Sequence, residues 1–405
     1  MVRLRRLGTA GVAVGCLCLA TACGSSSSGS SSGGSTAASS SKTIIIGDVN
    51  SESGPLEIYA KMFDQGLAAG LKYATNGTMQ VDGYTLQVVT KDDTGVPSVG
   101  AAAVTALIGS GVKIIVGATD SATALAEAQL ATTNHVIFIP GGAASDELTG
   151  YSKYVFRSGH TSYDDAATFA QTVPSWQGKT VVVAAQDEAI GTDGLAAVKA
   201  AITPLGGKVT GLLMPTTTTN FTPYARQLAV QKPDVVYVQW AGTGLTPLVE
   251  ALDQQGVFKT STVTGTLEQQ SSYSSYGPQA TKILWSASYY PAVNTTPANL
   301  YMIKAIQAMG GQADILSPNG FSAAQMIVHA IQVAKGDNVD EMISALNGYT
   351  FQGPWGAETV RAADHYLIRD GYLAKITIDN GNYVASNVKV IPGSAIAPPP
   401  VSFSH

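Results

Sequence analysis

The feature that most constrains the fold is an alternation of short apolar strands with amphipathic helices along most of the chain. The strand-like runs are continuously apolar, which is typical of strands covered on both faces of a sheet. In residues 59–74, apolar side chains recur at three- and four-residue spacing, as in a helix packed on such a sheet. Because strand–helix–strand units are right-handed, the pattern predicts an α/β protein with doubly wound parallel sheets.

The strands and helices of this alternation can be placed along the sequence. The predicted strands are residues 43–49, 86–90, 112–117, 136–140, 180–185, 209–214, 235–240, 262–266 and 283–288. The further predicted helices are residues 99–110, 122–133, 194–205, 222–232 and 245–256. Near the end of the chain, two strand-like runs flank Asn380-Gly381, which is a hairpin signal.

One sheet would have to hold too many strands, so we predict two lobes. Irregular stretches around residues 157–165, 288–296 and 350–358 are the expected crossings between them. Such a three-segment hinge would leave a cleft suited to a small molecule. The predicted organisation is a signal peptide at 1–22, a tether at 23–42, a first lobe at 43–160 plus 291–352, a second lobe at 161–290 plus 353–392, and a tail at 393–405.

The N-terminus predicts export. Arginines near the start precede an apolar run at residues 7–20, and small residues follow as far as Cys23, a pattern too short to span a membrane. The residues before Cys23 resemble a bacterial lipobox, in which the cysteine thiol receives diacylglycerol. Leu19 stands one place further from the cysteine than usual, so secretion without a lipid is the alternative. The Ser/Gly-rich segment that follows is expected to be a flexible tether.

Charge and cysteine content exclude several classes of function. Of the 23 Lys and Arg residues, three leave with the signal, so 20 stand against 28 Asp and Glu residues and the net charge is −8. This balance argues against a nucleic-acid partner, which favours a basic face. Cys16, Cys18 and Cys23 are the three cysteines, so the folded part is expected to have no disulfide, thiolate metal site or cysteine nucleophile.

Several short motifs occur in a fixed order after the predicted strands of the first lobe. They are Ser53-Gly54-Pro55, Asp92-Asp93, the Gly-x-x-x-Ser turn from Gly117 to Ser121, the Pro-Gly-Gly-Ala-Ala run from Pro140 to Ala144, and Glu147-Leu148. With them, residues 43 to about 390 resemble the type I periplasmic binding proteins of the leucine/isoleucine/valine-binding branch. The resemblance implies a two-lobed receptor that binds a small molecule in its cleft.

Ser121 and the run after Pro140 are candidate ligand contacts. Ser121 follows a strand and opens a helix, so it can either cap that helix or offer its hydroxyl and nearby N–H groups to an anion. Gly142 and Ala143 are small enough for a ligand to approach the backbone, although an ordinary tight turn is equally consistent. The family usually has threonine where Ala144 stands, and Ser145 is a possible substitute.

The resemblance implies further contacts from both lobes. Glu268 matches a carboxylate that holds a ligand's α-ammonium, and the alternative is a solvated loop residue. Tyr59 and Trp240 match aromatic walls of the cleft, although buried aromatic residues are more often core. Ile190 stands where the family commonly has an aromatic residue, so that contact would become aliphatic.

The sequence gives little indication of an enzyme. The folded region has no Gly-x-Ser-x-Gly elbow, Walker loop or Gly-x-Gly-x-x-Gly motif, and the five histidines lack metal-ligand spacing, so we expect neither cofactor nor metal. We expect a monomeric, lipid-anchored receptor on the outer face of the cell membrane that delivers an amino acid, or a related amide or carboxylate, to an ABC permease. The alternatives are a sensor domain for a membrane signalling partner and, third, a secreted hydrolase.

Overall fold

A computed structural model describes residues 42–240 and 244–405. The first lobe is built on a five-stranded sheet of order β2-β3-β1-β4-β5, in which only β2 is antiparallel. Its elements in chain order are β1 (Lys42–Asn50), α1 (Glu57–Ala74), β2 (Gln80–Val81), β3 (Tyr84–Asp92), α2 (Pro97–Gly109), β4 (Ile114–Gly117), α3 (Ser121–Asn134) and β5 (Ile137–Pro140). Strand β1 is covered on both faces, because successive side chains of a strand point to opposite sides of the sheet. Ile44 and Ile46 pack towards α1, while Val49 packs on the other face in a second cluster with α2 and α3.

The second lobe is built on a seven-stranded sheet of order β15-β14-β10-β9-β8-β6-β7, in which β14 (Gly371–Asp379) and β15 (Asn382–Ile391) come from the end of the chain. Its elements are α4 (Ser162–Ala170), β6 (Thr180–Gln186), α5 (Ala189–Ile202), β7 (Lys208–Met214), α6 (Thr222–Gln231), β8 (Val235–Gln239), α7 (Leu245–Gln254), β9 (Thr262–Thr266) and β10 (Leu284–Ala287). Strands β6 to β10 are parallel, β14 pairs antiparallel with β10, and β15 pairs antiparallel with β14. The predicted class, two lobes with doubly wound parallel sheets, is confirmed.

After β10 the chain returns to the first lobe and adds three helices and a small antiparallel sheet. These elements are α8 (Pro297–Ala308), α9 (Ser317–Ala334), α10 (Val339–Leu346), β11 (Thr350–Gly353), β12 (Gly356–Val360) and β13 (Leu367–Ile368). Helix α9 lies against α1 at very short range. A Cβ on Gly66 would fall 1.9 Å from the carbonyl oxygen of Ser317, and one on Gly70 would fall 2.6 Å from that of Phe321. Glycine at these two positions therefore allows the two backbones to touch.

The third predicted crossing is wrong. Residues 350–358 are not irregular, because they form most of the β11–β12 hairpin. The hairpin is bound to α9, since Ser322 Oγ donates to Glu358 Oε2 at 2.6 Å and Gln325 Nε2 donates to the carbonyl of Gln352 at 3.1 Å. The chain enters the second sheet only at β14 (Gly371–Asp379), so the passage lies between Ile368 and Gly371.

The chain ends with the antiparallel partner of β14 and a short extension. Strand β15 (Asn382–Ile391) pairs with β14 around the predicted Asn380-Gly381 turn. The tail beyond it contains one turn of helix, α11 (Gly393–Ile396), and then runs back to the first lobe, where Ser404 N and His405 N each donate to a backbone carbonyl at 3.0 Å. Across residues 42–240 and 244–405, no helix has the length and hydropathy needed to cross a membrane.

The close contact between α1 and α9 makes a testable prediction. Replacing Gly66 with alanine should destabilise the protein by at least about 1–3 kcal/mol, because the added methyl group overlaps backbone that cannot rotate away. Urea unfolding followed by circular dichroism measures this change. Gly109→Ala is the matched control, since nothing lies within 4 Å of that Cβ in the helix α2. Equal free energies of unfolding for the two variants would contradict the packing described.

Candidate functional site

The candidate site lies where loops after strands of the two sheets meet. Open α/β sheets bind ligands at the carboxyl ends of their strands. Here Tyr59, in the first turns of α1 after β1, contacts the loop after β9 across about 209 residues of sequence. Candidate residues of the two lobes therefore meet in one region.

Ser121 is the first residue of α3, but it does not cap that helix. The cap is Asp120, whose carboxylate accepts a hydrogen bond from the backbone N–H of Thr123 at 2.8 Å. The hydroxyl oxygen of Ser121 instead accepts the backbone N–H of Ser145 at 3.3 Å. The structure thus brings Ser121 beside the run after β5, as predicted.

The carbonyl groups of that run are already bonded within the protein. Asn319 Nδ2 donates to the carbonyl of Gly141, and Arg157 Nη2 donates to that of Ala143 at 2.8 Å. The backbone N–H of Ser162 donates to the carbonyl of Ala144 at 2.9 Å. Ala143 is also buried, whereas Gly142 and Ala144 are half-buried. Ligand contacts at Gly142, Ala143 and Ala144 remain predictions, and these bonds make the turn a rigid wall.

Glu268 is not a solvated loop residue. The hydroxyl of Tyr59 lies 3.1 Å from Glu268 Oε2 and 3.0 Å from Gln269 Oε1. Burial raises the pKa of the Glu268 carboxyl to about 7, and the hydrogen bond from Tyr59 only partly opposes this. The half-buried side chain therefore lies between the two lobes.

Glu268 lines a cavity of the second lobe with two other predicted residues. Its lining residues are Ile190, Val238, Gln239, Trp240, Leu245, Thr266, Glu268 and Trp285. Trp240 is only 5% exposed and packs edge-on against Phe221 at 4.9 Å, so it belongs to the core as well as to the cavity wall. Ile190 is 43% exposed and offers an aliphatic surface. The cavity measures about 10 Å³, room for one water molecule, so a larger ligand requires the residues around it to move.

Asp165 is an acid of this region that the sequence interpretation placed only in a hinge segment. It lies in α4, with Oδ2 3.8 Å from His160 Nε2. Burial, and then the nearby Asp164, raise the pKa of Asp165 well above its usual value, while burial lowers the pKa of His160 to about 4. His160 is therefore neutral near pH 7 and supplies no positive charge. The described residues lining the cavity include no lysine or arginine either.

A separate acidic group lies at the end of β1. Asp48, Glu52 and Asp64 each place one carboxylate oxygen within 4.8 Å of the others, a spacing that a cation could bridge. Burial is the main reason that the pKa of Asp48 rises to about 7 and that of Asp64 to about 10. Asn50 Nδ2 also donates to Asp64 at 3.1 Å. Some of these carboxyls therefore remain protonated near pH 7, which lowers the negative charge of the group.

A model of the family described as periplasmic binding protein matches residues 43–382. The chain belongs to the periplasmic binding protein family. This match covers both lobes and every candidate residue of the cleft, so the resemblance seen in the sequence motifs is confirmed.

Individual relatives and solved structures are also similar to this chain over most of its length. A Leu/Ile/Val-binding protein homolog of Brucella melitensis is 24% identical over 360 residues, which cover 85% of this chain and 90% of the relative. The crystal structure of an ABC-type branched-chain amino acid transporter protein of Rhodopseudomonas palustris is 32% identical, with a TM-score of 0.78, and the match covers 89% of this chain and 99% of that one. A solute-binding protein from R. palustris in complex with 4-hydroxybenzoate has a TM-score of 0.76 at 22% identity, with coverage of 87% and 97%.

The buried position of Glu268 predicts a pH effect on stability. Its pKa is about 7 in the folded protein against a usual 4.5, so the folded state binds the proton more tightly and loses stability as pH rises from about 4.5 to 7. Glu268→Gln removes this loss, so at pH 8 the variant should be more stable than wild type by up to about 3 kcal/mol.

Thermal unfolding at pH 5 and pH 8 measures this difference. The stabilisation should be present at pH 8 and nearly absent at pH 5, while Glu250→Gln on the exposed side of α7 should change neither value. A stabilisation of Glu268→Gln that is the same at both pH values would show that ionisation of Glu268 is not responsible.

Proposed function

We propose that this periplasmic binding protein is an extracytoplasmic lipoprotein that binds an amino acid, or a related small molecule with a protonated amine, and delivers it to an ABC permease. The observation that carries the proposal is the position of Glu268. This acid lies in a cavity beside Trp240 and Ile190, contacts Tyr59 of the other lobe, and has no basic residue among the described lining. Such a carboxyl favours a ligand that brings its own cation.

Charge distinguishes the ligand classes known among similar proteins. An aromatic acid such as 4-hydroxybenzoate would place a carboxylate near Glu268, and the described lining of the cavity offers no lysine or arginine to balance it. A zwitterion avoids this conflict, since its ammonium group meets Glu268. Its carboxylate then accepts hydrogen bonds from Ser121 and the N–H groups at the start of α3. An amino acid with an aliphatic side chain is the ligand that these groups favour.

The two ends of the ligand should contribute unequally to binding. Glu268→Ala should weaken binding by about 2–5 kcal/mol, because the ligand cation then lacks its partner. Ser121→Ala should cost only about 1 kcal/mol, since neighbouring N–H donors remain. A thermal-shift screen over amino acids, amides, carboxylates and purines identifies the ligand, and calorimetric titration then compares the variants with Glu250→Ala as a surface control. Wild-type affinity in Glu268→Ala would exclude an amino-acid-like binding mode and favour a neutral or anionic ligand.

Membrane attachment is the second part of the proposal. The signal peptide, Cys23 and the tether lie outside the described residues, and the support for lipidation is the sequence pattern before Cys23. Two acyl chains on one residue anchor a protein stably, and the tether would then let the folded lobes reach a permease.

Replacing Cys23 tests this attachment. Cys23→Ser should release the protein into the medium and abolish metabolic labelling with a fatty acid, because the thiol that accepts diacylglycerol is gone. Cys18→Ser, inside the predicted signal, is the matched control and should leave labelling unchanged. Labelling that persists in Cys23→Ser would rule out this residue as the lipid site.

A further inference from the structure

The acidic group of Asp48, Glu52 and Asp64 has no positively charged partner in the described part of the chain. None of the ion pairs between described residues includes any of the three acids. Their carboxylate oxygens nevertheless lie within 4.8 Å of one another. Carboxyl groups held so close together must either retain protons or share a cation, because the repulsion between buried negative charges is otherwise large.

The carboxylate of Asp48 has an oxygen that no described protein group satisfies. Asp48 lies on β1, the middle strand of the first sheet, and is only 1% exposed. Its Oδ2 lies 3.5 Å from Thr90 Oγ1, whereas its Oδ1 is buried and has no hydrogen-bond partner. Glu52 Oε1 is likewise shielded from water and without a partner. Buried carboxylate oxygens are costly unless a donor or a cation meets them, so these atoms favour a bound cation.

The third carboxylate is held in place by a chain of hydrogen bonds. Asn50 Nδ2 donates to Asp64 Oδ1 at 3.1 Å. Asn50 Oδ1 in turn accepts the hydroxyl of Thr119 at 2.7 Å and the backbone N–H of Ser51 at 3.1 Å. Because the amide is fixed from both sides, Asp64 is oriented before any ion binds, and an oriented ligand loses little freedom on binding.

Glycine at position 117 keeps side-chain atoms away from the unsatisfied oxygen. A Cβ on Gly117 would fall 3.1 Å from Asp48 Oδ1 and 2.3 Å from the carbonyl oxygen of Val49. The φ angle of Gly117 is 111°, which also favours glycine. The end of β4 therefore passes the Asp48 carboxylate with backbone alone.

We propose that Asp48, Glu52 and Asp64 form a binding site for a divalent cation, with Ca²⁺ preferred over Mg²⁺. All three ligands are carboxylate oxygens, which hard cations favour. Oxygens up to 4.8 Å apart suit Ca²⁺ better, since Ca²⁺ binds oxygen at about 2.3–2.6 Å and tolerates irregular geometry. Mg²⁺ requires about 2.0–2.1 Å in a near-ideal octahedron. Glu52 and Asp64 are half-buried, so water can complete the coordination.

The ion would join both ends of the segment that carries Tyr59. Glu52 precedes this residue and Asp64 follows it in α1, while the hydroxyl of Tyr59 contacts Glu268. A cation shared by the two carboxylates fixes the start of α1 against the end of β1. It therefore stabilises the first lobe whatever molecule the cleft binds.

Calorimetric titration of the full chain with CaCl₂, after removal of metal with EDTA and dialysis, tests the site. We expect saturable binding of one Ca²⁺ per chain and weaker binding of Mg²⁺. Thermal unfolding followed by circular dichroism gives a second readout. Ca²⁺ at about tenfold above its Kd should raise the midpoint by roughly 2–5 °C, because only the folded chain assembles the three ligands.

Two conservative variants and one control decide whether these acids are the ligands. Asp64→Asn and Glu52→Gln should each weaken Ca²⁺ binding by about tenfold or more and reduce the thermal shift, because each removes one charged ligand. Without metal, both should fold at least as stably as wild type, since a like charge is gone. Glu57→Gln, an exposed acid in the first turn of α1, should bind as wild type does.

Wild-type protein that shows no saturable Ca²⁺ binding would overturn the proposal, as would unchanged binding in both Asp64→Asn and Glu52→Gln. A thermal shift that Mg²⁺ reproduces in full would also overturn it, since that result would reflect general screening of acidic charge. Because no ligand of the cleft is added, each result is independent of the proposed function.

Discussion

The carboxylate of Asp164 is the interaction on which the relation between the lobes depends. It receives Arg369 Nη2 at 3.1 Å and the hydroxyl of Tyr366 at 3.0 Å, and it closes a capping box with Thr161 at the start of α4. Asp164 and Arg369 are each 1% exposed. Their bond therefore joins the first crossing between the lobes to the third. Removing one partner of such a pair leaves a buried charge and typically costs about 3–5 kcal/mol.

This junction fixes the crossings relative to each other. Buried polar bonds to Asp164 hold the first and third crossings together. Two further contacts join the lobes beside the cavity: Tyr59 with Glu268, and the backbone N–H of Gln270 with Asp314. These can be exchanged for water or ligand at modest cost. The proposed ligand site therefore lies where contacts between the lobes meet the carboxyl of Glu268.

The strands could be predicted from sequence because they depend on local patterns. Continuously apolar runs identified the parallel strands to within about two residues at most ends, whereas Ser121 and Glu268 were singled out through the family resemblance and their ligand roles remain predictions. The hairpin at residues 350–358 was not predicted, since it is held by hydrogen bonds from Ser322 and Gln325 in α9, which lie far away in the sequence. Helix α4, with Asp165, was also missed, because buried acids weaken its apolar pattern. Nothing local in the sequence pairs Gln270 with Asp314 or marks Asp120 rather than Ser121 as the helix cap.

The central claim is that a donor group of the ligand is held by Glu268 between two closed lobes. A crystal structure of the protein with its tightest-binding ligand tests this claim most directly. The account predicts a ligand nitrogen at about 2.7–3.2 Å from the Glu268 carboxylate, with an acceptor group of the same ligand at the start of α3. A ligand that turns an anionic or apolar group towards Glu268, or that lies outside the cavity bordered by Trp240 and Ile190, would contradict it.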